Sequence, residues 1–149
     1  MKKYLLPVSI SLILGISMAY FIIRQYETMP ALAVSSEAES LYYIQRGVYQ
    51  DMNTMNDDMK DFTNYIYNVE DNQYHSYIGI TTSKENASKI QNYYKEAGYE
   101  TEIEEKITDN KDFINILKQY DDLLTKTDDS ASVKVICNQV LAKYEELVK

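Results

Sequence analysis

The apolar positions along this chain keep three different rhythms. Leu5 to Ile23 is an unbroken run of 19 residues without a charge. A helix rising ~1.5 Å per residue over that length reaches roughly 28 Å, close to the ~30 Å hydrocarbon core of a bilayer. Between Leu41 and Lys106, short alternating runs of apolar or aromatic and polar residues are separated by segments with apolar residues three and four apart. From Phe113 to Leu147 the spacing is helical throughout.

The middle region reads as strand, helix, strand, twice over. Leu41–Tyr49 alternates as a first strand, and 53–64 carries Met55, Met59 and Phe62 at helical spacing. Ile66–Glu70 reads as a second strand. Asp71-Asn72-Gln73 is turn chemistry, so a hairpin leads into a third strand, Tyr74–Thr81. Ser83 suits the N-cap of a second helix, which runs through Ala87, Ile90, Tyr93, Tyr94 and Ala97 to a C-cap glycine, Gly98. Tyr99–Lys106 reads as a fourth strand.

This βαββαβ order predicts an α+β fold, a ferredoxin-like four-stranded antiparallel sheet with both helices on one face. The other face is open unless something covers it. Alternation sends Ile44, Val48, Ile78 and Ile80 to the helix side. It sends Tyr43, Gln45, His75 and Tyr77 to the open side, with Gly47 and Gly79 leaving room beside them. Arg46 falls on the helix side by strict alternation, so it is expected either at a bulge or snorkelling at the strand end.

The helical rhythm at the C-terminus predicts a hairpin of two helices. Asp109 or Asn110 caps the first, over 110–126, with Phe113, Ile116, Leu117, Tyr120, Leu123 and Leu124 on its apolar face. Thr127-Asp128-Asp129-Ser130 is the turn. Ser130 or Ser132 caps the second, striped by Val133, Ile136, Cys137, Val140, Leu141, Tyr144 and Leu147. Two wide apolar faces must be buried. The hairpin packs on the open sheet face, docks beside the domain or on a second copy, or takes a protein partner. The short connection after the fourth strand favours packing within the chain.

At the N-terminus Lys2 and Lys3 precede the apolar run and Arg24 alone follows it. The positive-inside rule places 1–4 in the cytoplasm and everything after 5–23 outside, as a single-pass cell-membrane protein. Tyr4, Tyr20 and Tyr26 fall near the two interfaces, and Pro7 sits in the first turn, where it costs little. Ala31-Leu32-Ala33 resembles the cleavage site of a signal peptide. The length of the run, and its separation from that site, favour an uncleaved anchor. The domain is exported either way. The organisation is then a tail (1–4), a transmembrane helix (5–23), a linker (24–40), a domain (41–106) and a helical hairpin (107–149).

Charge narrows the function. The chain has 23 acids against 15 bases, a net charge of −8. That excess argues against nucleic acid as a partner, because phosphate binding needs clustered Lys and Arg. Tyrosine is abundant at 15 copies, ten of them between Tyr42 and Tyr99. Tyrosine suits a half-exposed binding sheet and is also a good strand former. The one cysteine, Cys137, lies on an apolar helix face as a buried thiol and allows no intramolecular disulfide. One histidine, His75, leaves no His-cluster metal site and argues against a hydrolytic triad. There is no Gly-rich phosphate loop and no cofactor is called for. A non-enzymatic protein is expected.

The ordered pieces Tyr42-Tyr43-Ile44-Gln45-Arg46-Gly47-Val48-Tyr49, Glu70-Asp71, Tyr74-His75-Ser76-Tyr77-Ile78-Gly79, Ser83-Lys84-Glu85-Asn86-Ala87 and Glu96-Ala97-Gly98-Tyr99 together resemble the SPOR (sporulation-related repeat) domain family. The resemblance covers 41–106. It implies binding to peptidoglycan, in particular to glycan strands stripped of stem peptides at division or sporulation septa. The open sheet face is the surface the resemblance implies, with Gln45 as a contributor and Tyr43, His75 and Tyr77 beside it. Aromatic faces suit sugar rings, and amide and hydroxyl tips suit their hydroxyls. Glu100, Glu102 and Glu104 alternate on the fourth strand. If their shared face is the sheet surface, they repel the lactyl carboxylates of such a glycan. The alternative is an envelope protein-interaction scaffold, with the sheet face covered by the C-terminal hairpin.

Overall fold

Six consecutive residues, Ser76 to Thr81, are all buried. A strand with one face in water alternates, and a strand covered on both faces does not. The sheet of this protein is therefore sandwiched, and its sequence supplies both covers. The structure, a computed structural model, describes residues 38–148. The predicted tail, membrane span and all but the end of the linker lie outside them. No described helix is long and apolar enough to cross a membrane.

The elements run β1 (Glu39–Tyr49), α1 (Met52–Met59), β2 (Ile66–Glu70), β3 (Gln73–Thr81), α2 (Lys84–Glu96), β4 (Glu102–Thr108), α3 (Lys111–Lys126) and α4 (Ser130–Leu147). The strands form one antiparallel sheet in the order β2-β3-β1-β4. The fold is α+β, with four strands and four helices. Ser83 caps α2, accepting from Asn86 N, and Asn110 caps α3, accepting from Phe113 N. Asp129, not the expected Ser130 or Ser132, caps α4. Its carboxylate takes both the backbone N–H and the hydroxyl of Ser132, at 2.9 and 2.7 Å. The β2–β3 turn places Asp71 and Asn72 at φ 50° and 60°, the left-handed pair of a two-residue hairpin.

Several boundaries differ from the sequence reading, three of them by two residues or more at a point the packing explains. β1 starts at Glu39, inside the expected linker. α1 stops at Met59 because Phe62 turns inward onto the Tyr94 and Tyr99 rings, at 6.0 and 4.8 Å. β4 starts at Glu102 because Tyr99 is committed to that cluster and Gln91 Nε2 holds the Thr101 carbonyl at 2.9 Å.

Register corrects the assignment of faces. Ile44 lies opposite Gly79, under Ile90 of α2, as expected for the helix side. Tyr43 lies opposite Ile80, so Ile80 shares the face of Tyr43 rather than that of Ile44. The register then slips twice, between Ile44 and Gln45 and between Gln45 and Gly47. Arg46 is the unpaired residue of the second slip, which makes it a bulge position. Strict alternation fails across these bulges, and Val48, expected toward the helices, is exposed.

One apolar cluster fills both sides of the sheet. It joins Ile44, Met55, Met59, Ile66, Ala87 and Ile90 to Leu41, Tyr43, Phe113, Leu117, Val140 and Leu141. The C-terminal hairpin is thus part of the core.

Candidate functional site

The sheet face carrying Tyr43 is where the sequence places binding. Of the four expected residues, Tyr77 is 0% exposed, Tyr43 6% and Gln45 9%, while His75 is half-buried. They meet in two pairs. The Tyr43 and Tyr77 rings stand edge to face with centroids 5.3 Å apart. Gln45 Nε2 and His75 Nδ1 lie 2.8 Å apart, a hydrogen bond between their side chains. By plain alternation from Ile80, Tyr77 belongs to the other face. The bulges turn its ring back toward Tyr43.

Lys106 of β4 reaches over both rings. Its Nζ lies 5.0 Å from the Tyr77 centroid and 5.8 Å from that of Tyr43. It donates to Glu70 at 2.8 Å and sits 3.5 Å from Glu104, which accepts the Tyr77 hydroxyl at 2.7 Å. Glu104 and Glu102 lie directly opposite Tyr43 and Gln45, so both acids share that face. Burial pulls the Lys106 ammonium down, but hydrogen bonds to Glu70 and Tyr77, with the charge of Glu104, outweigh it and hold the group well above its ordinary range. Burial pushes the Tyr77 phenol up to about 12. Burial, then the neighbouring Tyr144, raises Tyr43 as well. At neutral pH the face therefore holds neutral phenols, one ammonium and a surplus of carboxylate.

The hairpin closes over this face. Tyr144 of α4 meets the Tyr43 ring at 6.4 Å and the Phe113 ring of α3 at 5.4 Å, both edge to face. The hairpin is also clasped to the start of α2. Buried Asp121 accepts from the Thr82 N–H at 2.8 Å, the Thr82 hydroxyl at 2.6 Å and the Thr81 hydroxyl. Asn86 Nδ2 donates to the Asp121 carbonyl at 3.0 Å. Lys89 Nζ caps the end of α3 through the carbonyls of Leu124 and Thr127, each at 2.8 Å. The Asn64 side chain holds the Asn138 carbonyl of α4 at 3.1 Å.

The glycines serve the chain itself. A Cβ on Gly79 would stand 3.1 Å from Ile44 and 3.2 Å from Ile90, so this glycine admits α2 rather than a ligand. A Cβ on Gly47 would meet the Tyr49 hydroxyl at 2.5 Å. That hydroxyl donates to Asp58, which also pairs with Arg46 at 3.1 Å.

What stays open is at the margins. A depression of about 290 Å³ lies between the end of β1 and the approach to β4, lined by Gln45 to Val48 and Glu100 to Glu102. A second, of about 560 Å³, lies at the hairpin turn, where Leu123 and Val135 are exposed beside Ala131 and Ile136. Among the described residues no three His, Cys, Asp or Glu side chains come together as a metal site. Cys137 is buried, and burial followed by the charge of Asp121 pushes its thiol up to about 12.

The sequence reading missed Lys106, Asp121 and Tyr144 as site residues. Asp121 carries a readable signal, because Leu117, Asp121 and Leu124 follow one helical stripe and a carboxylate there must find donors. Comparison with family models, with curated proteins and with solved structures finds no match.

Proposed function

We propose that this chain is a non-enzymatic module of a bacterial cell envelope that acts through protein contacts. In this reading a ferredoxin-like, SPOR-like domain is held outside the membrane by Leu5–Ile23, and its sheet face serves its own core. The carrying observation is the closure of that face: Tyr43 lies against Tyr144, Tyr77 is fully buried, and Gln45 is tied to His75. Glu102 and Glu104 on the same face support it further, since a glycan bearing lactyl carboxylates meets repulsion there. The exposed apolar pair at the hairpin turn, Leu123 and Val135, is the surface offered to a partner.

One observation favours a second reading, in which the module binds denuded glycan. Gln45, the residue the family resemblance marks, stands in the wall of the depression beside Arg46 and Thr101. A sugar would then bind at the end of β1 and not across the sheet.

The two readings part on co-sedimentation of the full-length chain with cell-wall sacculi, intact or freed of stem peptides by an amidase. The protein-contact reading expects no gain on amidase treatment. A gain that falls in Gln45→Ala establishes glycan binding instead.

A further inference from the structure

β4 lies at an edge of the sheet, and no described residue pairs with its outer side. Its register with β1 runs without a bulge from Glu102 to Thr108. A regular free edge presents alternate N–H and C=O groups to another strand. Proteins usually guard such an edge with charge or proline. Here one face of the strand carries Ile103, Glu105 and Ile107, with Ile103 partly buried against the core and Ile107 74% exposed, while the other carries the charged Glu102, Glu104 and Lys106. No other large apolar side chain among the described residues is so open. β-branched side chains at an edge favour pairing.

We propose that two copies of this chain join antiparallel along Glu102–Thr108, about a two-fold axis through Glu105, into one continuous eight-stranded sheet. The side chains select the register. A two-fold axis through a residue places positions equally far on either side of it opposite each other. Centred on Glu105, Ile103 faces Ile107 of the second copy and Glu104 faces Lys106, so apolar meets apolar and acid meets base, twice each. Centred on Glu104, Ile103 faces Glu105. Centred on Lys106, Ile107 faces Glu105 and the two lysines face each other. Cross-strand pairs of matched character stabilise a ladder, and like charges directly opposed weaken it.

The opposing contributions are Glu105 against its own copy and the net charge of −8 on each chain. Salt screens these and also the two Glu104–Lys106 attractions, but each β4 carries three acids against one base, so repulsion dominates what is screened. The dimer is therefore weak at low ionic strength and tightens as salt rises. This pairing does not depend on what the rest of the surface binds.

The test uses the full-length chain in detergent micelles. Directly opposed Cα atoms in an antiparallel ladder lie about 4.5–5.5 Å apart, within disulfide reach. Glu105→Cys chains are expected to cross-link to one another under mild oxidation, whereas Glu102→Cys chains, whose new thiols face Thr108, are not. Adding Ile107→Lys to Glu105→Cys is expected to reduce cross-linking at least tenfold. Because Ile107 is exposed, an unchanged melting curve shows that the loss is not unfolding. Sedimentation of the unaltered chain should show the dimer fraction rising with salt, and of Glu105→Gln a tighter dimer. A monomer at all salt concentrations overturns the proposal. So does cross-linking that ignores Ile107→Lys, which locates contact elsewhere. Amide protection of Glu102–Thr108 in a monomer also overturns it, because a different segment then covers the edge.

Discussion

The ring of Tyr43, in the central strand, meets the ring of Tyr144, in the last helix, edge to face, with centroids 6.4 Å apart and planes at 90°. One contact thus ties the sheet face to the C-terminal hairpin. Phe113 also meets Tyr144 edge to face and makes the hairpin's two helices share the contact. Burial of aromatic area, with edge-to-face geometry adding to it, holds this cover in place.

Truncating that ring measures the cover. Tyr144→Ala is expected to lower unfolding free energy by about 2–3 kcal/mol in urea titration, below the range for a fully buried aromatic because Tyr144 is half-buried. Tyr144→Phe should cost less than half as much. A change in Tyr144→Ala within ~0.5 kcal/mol, the range of a surface substitution, would show that the cover is not coupled to the core.

Asp121 makes a second, polar attachment. Asp121→Ala leaves the Thr81 and Thr82 hydroxyls and the Thr82 N–H without their acceptor. Unsatisfied buried donors cost about 1–3 kcal/mol each before relaxation, so a total loss of roughly 2–4 kcal/mol is expected. Asp121→Asn keeps one acceptor oxygen and should fall between. Hydrogen exchange should rise first in α3 and in the start of α2. Uniform change across the sheet, with those helices unaffected, would contradict this clasp.

Alkaline titration reports on Tyr77. Its folded pKa is raised to about 12 from an ordinary 10.0, so the native state keeps a proton that the unfolded state has lost. The sign follows: this contribution is whole below pH 10 and declines as pH rises through the folded value. Stability should fall across this window, and Tyr77→Phe should flatten the fall. Tyrosinate absorbance read against pH checks it, and an unaltered titration in Tyr77→Phe would refute the assignment. At the acid end the sign reverses for Glu70, whose carboxyl is held low by Lys106. Its contribution is present above the ordinary carboxylate value and lost as pH drops through the lower folded one. Glu70→Gln should remove that part of the acid loss.

Gly98 tests the end of α2. Its φ is +92°, a conformation L side chains resist, although nothing lies within 4 Å of an added Cβ. Gly98→Ala should therefore cost about 1 kcal/mol through backbone strain alone. Thermal melting measures it, and a stabilised variant would show that the turn relaxes.

The strand–helix sequence was legible because it rests on local rules. Periodicity placed β2 at its true bounds, Asp71-Asn72 announced the hairpin turn, and Ser83 and Gly98 marked the two ends of α2. The bulge at Arg46 was one of two readings open from the sequence, and the register selects it. The apolar stripes of α3 and α4 were equally plain, because each helix carries its own pattern.

The sequence by itself determined the elements, their order and the need to bury two helical faces. It did so because hydrophobic period, caps and turn residues act over a few neighbouring positions. Only the tertiary structure decided which surface those faces cover. Tyr43, Gln45 and Tyr77 form the same alternating pattern whether the face beyond them meets water, sugar or Tyr144. Alternation names a side and not its occupant. The slip between Ile44 and Gln45 lay beyond reach for the same reason, and the one at Arg46 could be named only as an option: both depend on pairing between β1 and β3, and they turn Tyr77 toward Lys106 and Glu104.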